Sequence, residues 1–203
     1  MTDNVPEMID IVFDLGGETL PASYPFALWA GLLRLAPQLA EQRHIGILPL
    51  RLATTGDGML LPKRAKLILR LPAALADQTT PRLSGQQIEV AGSRLRLGRG
   101  EKRLIQPSPT IHAQMVAGLT DEVLFMDDIN TQLAGLGVSG NLICGKRHTL
   151  TGEQQSVHGF SLVIHDLKPE ASLKLQYAGL GGARQFGFGI FIPYKVISGL
   201  SDD

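Results

Sequence analysis

The chain is poor in the residues that staple or stack. It has a single cysteine, Cys144, a single tryptophan and only 5% aromatic residues in 203. One cysteine cannot form an internal disulfide or a cysteine metal cluster, so Cys144 reads as a small buried hydrophobe in a reducing compartment. Few aromatics argue against a broad stacking platform for nucleobases. No apolar run reaches the length of a membrane span. The acidic start "MTDNVPEMID" lacks a signal-peptide pattern, so the expected location is cytoplasmic, with no membrane partner. Net charge is also lacking: 19 basic residues balance 19 acidic ones.

The balance hides an asymmetry. Between Lys63 and Arg103 stand ten basic residues and three acids, a local charge of +7, and the rest of the chain carries −7. Such a segment suits a polyanion on one surface. It equally suits solvated strand edges that use Lys and Arg against aggregation. The candidate cations are Lys63, Arg64 and Lys66 at a turn, then Arg94, Arg96, Arg99, Lys102 and Arg103. Arg94 and Arg96 share a face by strand periodicity.

Glycine is abundant where the basic segment is not. "GLGGARQFGFGIF", residues 179–191, holds five glycines, one arginine and no acid. The run lacks the Lys-Ser or Lys-Thr pair of a P-loop. It also lacks the third glycine of a dinucleotide fingerprint, whose place Arg184 takes. Two readings stay open: a bulged hairpin with glycines at positive φ, or a loop whose free amides approach phosphates, with Arg184 pairing to one.

Hydrophobic periodicity gives the architecture. "MIDIVFDL" is a strand. Residues 24–42 form an amphipathic helix that Pro37 ends early. "HIGILPLRLA" and "AKLILRL" are strands, with "TTGDGM" a turn between them. "PAALADQ" opens a helix with proline at its first position, and "QQIEVAG" and "SRLRLG" are strands around a turn. Residues 1–92 therefore read β-α-β-β-α-β. In the second half, "TIHAQMVAG" is a strand and residues 121–136 a helix with Thr120 as N-cap. "GNLICGKRHTLTG" and "VHGFSLVIHDL" are strands, "KPEASLKLQYAGLG" a short helix and "FGIFIPYKVI" a closing strand. The expected fold is α+β: tandem ferredoxin-like (RRM-related) domains at 1–92 and 93–203, the second with a glycine-rich loop at 179–189.

"YAGLGGARQFGFGIFIPYK" resembles the C-terminal glycine-rich loop of the RAMP superfamily of CRISPR-associated proteins. "GETLPASYPFALWAGLLRLAPQL", "LLPKRAKLILRLP", "LSGQQIEVAGSRLRLG" and "SVHGFSLVIHDLKPEASLKLQYAGLG" extend the likeness over nearly the whole chain. More narrowly, the chain resembles the precursor-crRNA-processing endoribonucleases of that superfamily, in the short variant first described in a myxobacterial subtype. The resemblance implies binding of CRISPR repeat RNA and a metal-independent cut that leaves a 2′,3′-cyclic phosphate and a 5′-hydroxyl. It implies no cofactor and no metal. It also implies retention of the crRNA 3′ hairpin among other effector-complex subunits.

Such a cut needs a proton acceptor at the 2′-hydroxyl, a donor at the leaving oxygen and cations around the phosphorane. On this resemblance His44, after the first helix, is the first catalytic choice. Tyr24 is the second, where the short variant carries a histidine near the start of that helix. The variant also has histidines where this chain has Tyr194 and a leucine of "GILPL". The expected RNA-binding set is the basic segment above, Lys146 and Arg147 beside His148, and the loop residues Gly179, Gly181, Gly182, Arg184, Gly187 and Gly189. The alternative is a subunit that binds the crRNA hairpin without cutting it.

Overall fold

The computed structural model describes residues 5–55 and 58–194. Strand β1 (Met8–Gly16) runs through the centre of the first sheet. A short strand, β2 (Thr19–Leu20), leads to helix α1 (Tyr24–Leu35). The helix stops where Pro37 predicts, and Pro37–Glu41 continues as a 3-10 turn. Leu28 and Leu32 are buried from one face of α1.

The next strand is shorter than its sequence suggests. Only β3 (Gly46–Ile47) pairs in a ladder, with Arg70 and Leu69. The Leu48 N–H still donates to the Ile68 carbonyl, but Pro49 after it has no N–H, and the Leu50 amide turns to a side chain instead. The expected turn at "TTGDGM" is flanked by a small hairpin, β4 (Ala53–Thr55) and β5 (Gly58–Leu60), which pairs with β2.

Strand β6 (Lys66–Pro72) pairs with β1 along its length. Pro72 sits at the end of this strand rather than at a helix start: its ψ is 132° and the following amide donates to the Glu7 carbonyl. A 3-10 turn intervenes, and α2 (Ala76–Leu83) begins a turn later than expected.

A hairpin of β7 (Gln87–Val90) and β8 (Ser93–Leu97) follows, then β9 (Glu101–Leu104). Ala91 and Gly92 both have positive φ, 50° and 81°, as a tight hairpin turn requires. The expected boundary between 92 and 93 falls inside this hairpin. It is β8 and β9, not β7, that pair with β1, so residues 93–104 belong to the first sheet. Its order is β3-β6-β1-β8-β7, with β9 also on β1, which is a ferredoxin-like arrangement whose fourth strand is a hairpin.

The second unit follows its expected order closely. Strand β10 (Ile111–Ala117) precedes α3 (Glu122–Leu136), β11 (Asn141–Thr151), β12 (Ser156–His165), α4 (Pro169–Ala178) and β13 (Ile192–Pro193). The N-cap of α3 is Asp121, not Thr120: its Oδ1 accepts the Leu124 N–H at 3.0 Å. The sheet order β11-β12-β10-β13 is again ferredoxin-like. The closing strand is shorter than the expected 188–197: Gly189 has a left-handed φ of 68°, and among the described residues only Ile192–Pro193 joins the ladder with β10. The "KVI" of that expectation lies outside the described residues.

Each unit has its own apolar core: one gathers Ile11, Phe13, Leu28, Leu32, Leu67 and Leu69, the other Ile111, Phe125, Ile129, Phe160, Leu162 and Phe191. Between them lies a polar seam. Arg70 on β6 is 1% exposed and Asp10 on β1 is 3% exposed. Arg70 Nε and Nη2 donate to the two Asp10 oxygens at 2.8 and 3.1 Å, a bidentate pair. Its Nη1 reaches the second unit, donating to the carbonyls of Gln176 and Phe191 at 3.2 and 2.7 Å. The connecting segment is tied to α4 as well. Ser172 Oγ accepts the Ser108 N–H, and Gln176 Nε2 donates to the Gln106 carbonyl.

Candidate functional site

The glycine run is built inward. Arg184, expected to face phosphate, is 5% exposed. Its Nη1 donates to the carbonyls of Tyr177, at 3.1 Å, and Ala178. With Arg70 on the Gln176 carbonyl, two guanidinium groups close the C-terminal end of α4, where carbonyls lack helical partners and the dipole favours cations. Burial, with Arg70 nearby, pushes the Arg184 pKa down to about 9, so it is still charged at neutral pH. Arg184 is an interior cap, and the phosphate-pairing expectation is corrected.

The loop amides are also taken up internally. The N–H groups of Gly179, Gly187 and Gly189 donate to the carbonyls of Leu175, Arg184 and Met115. The Gly181 N–H donates to Gln132 Oε1 at 2.8 Å. Gly179, Gly187 and Gly189 are buried, whereas Gly181 and Gly182 are exposed. The glycine requirement is clearest at Gly189: its φ is 68°, and a β-carbon there would run into the Leu180 carbonyl oxygen. Gly179, at φ 66°, is held as tightly, with the Gly189 carbonyl oxygen 2.5 Å from where a β-carbon would sit. Close packing of backbone on backbone, not approach to phosphate, accounts for these glycines.

The loop packs on the first unit beside the expected catalytic segment. The 3-10 turn Arg184–Phe186 lies against α1 and β3, and the Phe186 ring meets Phe26 edge-on with centroids 4.7 Å apart. Gly46 in β3 sits where a β-carbon would touch Ile190, 2.7 Å away. His44, half-buried, stands in the turn two residues before that contact. Tyr24, at the start of α1, is buried, and its hydroxyl accepts the Leu50 N–H at 2.8 Å. Burial drives its pKa up to about 12, which the Leu50 hydrogen bond only partly opposes. The crevice between Tyr24, Pro49 and Gly187 has room for about 10 Å³, less than a nucleotide needs. Tyr24 is therefore a structural phenol, and the expectation that it replaces a catalytic imidazole is corrected.

The basic segment divides into spent and available charge. Arg70 is interior. Lys66, Lys102 and Arg103 pair with Asp14, Asp77 and Asp10 respectively. Lys63, Arg64, Arg94, Arg96 and Arg99 are exposed and make no ion pair among the described residues. Arg96 lies opposite Gly16 and Lys66 opposite Asp14 on the two sides of β1, so the Lys63–Lys66 turn and the β8 arginines meet at one end of the first sheet. Lys146 and Arg147 are exposed on β11, in the second unit, where the strand bulges between Cys144 and Arg147.

Two features escaped the sequence reading. One is the interior pair of Arg70 with Asp10, which are 60 residues apart in the chain. The other is on the second sheet, where the His112 and Tyr194 rings meet edge-on at 5.3 Å. His112 had no signal beyond its place in a strand. Among the described residues no group of His, Cys, Asp and Glu is arranged to hold a metal ion, and no helix is long and apolar enough to cross a membrane.

The fold has counterparts. An RAMP protein described as binding different RNA substrates superposes with a TM-score of 0.71 at 11% identity, covering 92% of this chain and all of that one. A Cas6-related protein from Pyrococcus furiosus gives 0.67 at 13% identity over 94% of this chain and 99% of its own. The Cse3 protein of Thermus thermophilus, bound to an RNA representing a pre-cleavage complex, gives 0.51 at 13% identity over 91% and 98%. In sequence, the chain is 31% identical over 192 residues to the CRISPR-associated endonuclease Cas6 of Myxococcus xanthus (strain DK1622), spanning 94% of this chain and 83% of that protein. Residues 9–196 match the family described as Cas6 Crispr, so a likeness that began at a glycine run extends through both units, and the chain belongs to the Cas6 family.

Proposed function

We propose that the protein is an endoribonuclease that binds CRISPR repeat RNA and cuts it to produce mature crRNA. The observation that carries the reading is the 31% identity, over 94% of the chain, to a CRISPR-associated endonuclease. The geometry supports it at one end of the first sheet, where the unspent cations Lys63, Arg64, Arg94 and Arg96 can meet an RNA backbone. In this reading Arg99, Lys146 and Arg147 extend the cationic surface, and Gly181 and Gly182 are the loop residues exposed to RNA.

The cut we infer is metal-independent. His44 acts as the general base or acid on the 2′-hydroxyl or the leaving 5′-oxygen, and the products carry a 2′,3′-cyclic phosphate and a 5′-hydroxyl. The product hairpin then stays bound within an effector complex. The protein works in the cytoplasm.

One observation favours a second reading. With Tyr24 buried and bonded, His44 alone is left of the two expected catalysts, which suits a subunit that holds the crRNA hairpin without cutting it. The test is incubation with repeat hairpin RNA in excess EDTA, with the product ends analysed chemically. Cleavage to cyclic phosphate supports the nuclease. Tight, salt-sensitive binding without cleavage supports the holding subunit. Absence of both rejects the RNA reading altogether.

A further inference from the structure

Both helices of the second unit pack on one face of its sheet, and the other face is left open. Strand pairing defines a row across that face: Ile143 on β11, Val163 on β12, His112 on β10 and Ile192 on β13 are successive partners. Their neighbours Ala113 and Leu162 are buried in the core, so by the alternation of the pleat this row points away from it. Ile143 and Tyr194 are 54% and 45% exposed, unusual for large apolar side chains.

The row borders a groove of about 320 Å³, at the small end of ligand-binding clefts. Its apolar wall is Val163 with the edge-on pair His112 and Tyr194, whose planes are 86° apart. Its polar wall is Gln114, Ser161 and His148, which together supply donors and acceptors. Arg51, from the first unit, bears on the same place. Burial first, and the Arg51 charge second, hold the His112 pKa below its ordinary value of 6.5, so the ring is neutral at physiological pH. Lys146 and Arg147 adjoin His148 in β11.

We propose that this groove is a subsite for one unpaired base of single-stranded RNA, stacked on one of the His112 and Tyr194 rings and meeting the other edge-on, with its phosphate toward Arg51. A flat heteroaromatic ring suits the neutral imidazole and the phenol, and its edge suits the Gln114, Ser161 and His148 wall. The surrounding charge is cationic, which suits a phosphodiester. Neither His44 nor the exposed cations of the first sheet line the groove, which gives an aromatic-poor protein one place where bases are read as well as phosphates. It rests on the RNA-binding reading above and adds an unpaired segment to the hairpin that reading invokes.

The test measures binding of short fluorescent oligouridylate, oligoadenylate and an abasic strand of equal charge, beside repeat-hairpin cleavage. The wild-type protein binds base-bearing strands more tightly than the abasic strand. The double variant His112→Ala/Tyr194→Ala loses that preference, with binding of base-bearing strands roughly five- to hundred-fold weaker. His112→Phe, which keeps a ring, retains most of it. Equal wild-type affinity for abasic and base-bearing strands overturns the proposal without need of a variant, as does unchanged binding by a folded double variant. Oligonucleotide binding that depends on His112, with no hairpin cleavage, upholds the groove and rejects the nuclease. Cleavage without base preference does the reverse.

Discussion

The basic segment and the glycine run look from the sequence like two halves of one RNA surface, yet the structure builds them in opposite senses. Five of the basic side chains, Lys63, Arg64, Arg94, Arg96 and Arg99, stand in solvent, whereas Gly179, Gly187 and Gly189 are buried and donate their amides to protein carbonyls. Even arginine splits the same way. Arg94 and Arg96 are exposed, but Arg70 and Arg184 are interior and close the end of α4. A glycine-rich stretch reports first on how closely backbones pack. A cluster of cations reports on a surface only after those with buried partners are set aside.

The largest way to break this contrast is Arg70→Ala, which leaves the buried Asp10 carboxylate with only the longer contact from Arg103, at 3.4 Å, and removes the link to Gln176 and Phe191. Losing one partner of such a pair costs about 3–5 kcal/mol, so denaturant melting should show a large drop in midpoint. Arg94→Ala/Arg96→Ala should leave that midpoint almost unmoved while weakening RNA binding. The salt slope of that binding should fall by about one for each phosphate the variant no longer neutralises.

Within the loop the contrast is sharper still. Gly189→Ala forces a β-carbon onto the Leu180 carbonyl at a left-handed backbone position, with an expected loss of roughly 1–3 kcal/mol or more. At Gly182, exposed and with open space around it, alanine should stay within about 0.5 kcal/mol.

A smaller loss than at Gly189 is expected at Tyr24. Tyr24→Phe leaves the Leu50 N–H without its acceptor, at a cost of about 1 kcal/mol, and should not slow cleavage. The wild-type phenol is raised from 10.0 to about 12 in the folded protein. Its neutral form is thus favoured by folding, so that contribution is complete below pH 10 and lost as pH rises toward 12. The variant's stability curve should be flatter over that interval.

Local pattern carried the element order of both units, and the end of α1 at Pro37, because periodicity and proline act within a few residues. The pairing of β8 and β9 with β1 did not follow from pattern, since a hairpin reads the same whichever of its strands faces the sheet. The inward turn of Arg70 was hidden for a related reason: in "KLILRLP" it follows the alternation of a charged surface position, and only Asp10, brought over from β1, explains its burial. Tyr24 occupies a position that invites a catalytic role, but its hydroxyl is committed to a backbone amide from beyond β3. The His112 groove needed four elements, β10, β11, β12 and the segment around Tyr194, none of which carries a motif.

The most direct test of the account is single-turnover cleavage of the repeat hairpin in EDTA by wild type, His44→Ala and Tyr24→Phe, with binding measured alongside. The account predicts a cyclic-phosphate product from wild type and Tyr24→Phe. It predicts a loss of at least roughly a hundredfold in rate for His44→Ala with hairpin affinity retained. Equal cleavage by His44→Ala, or tight hairpin binding with no cleavage by wild type, would contradict it.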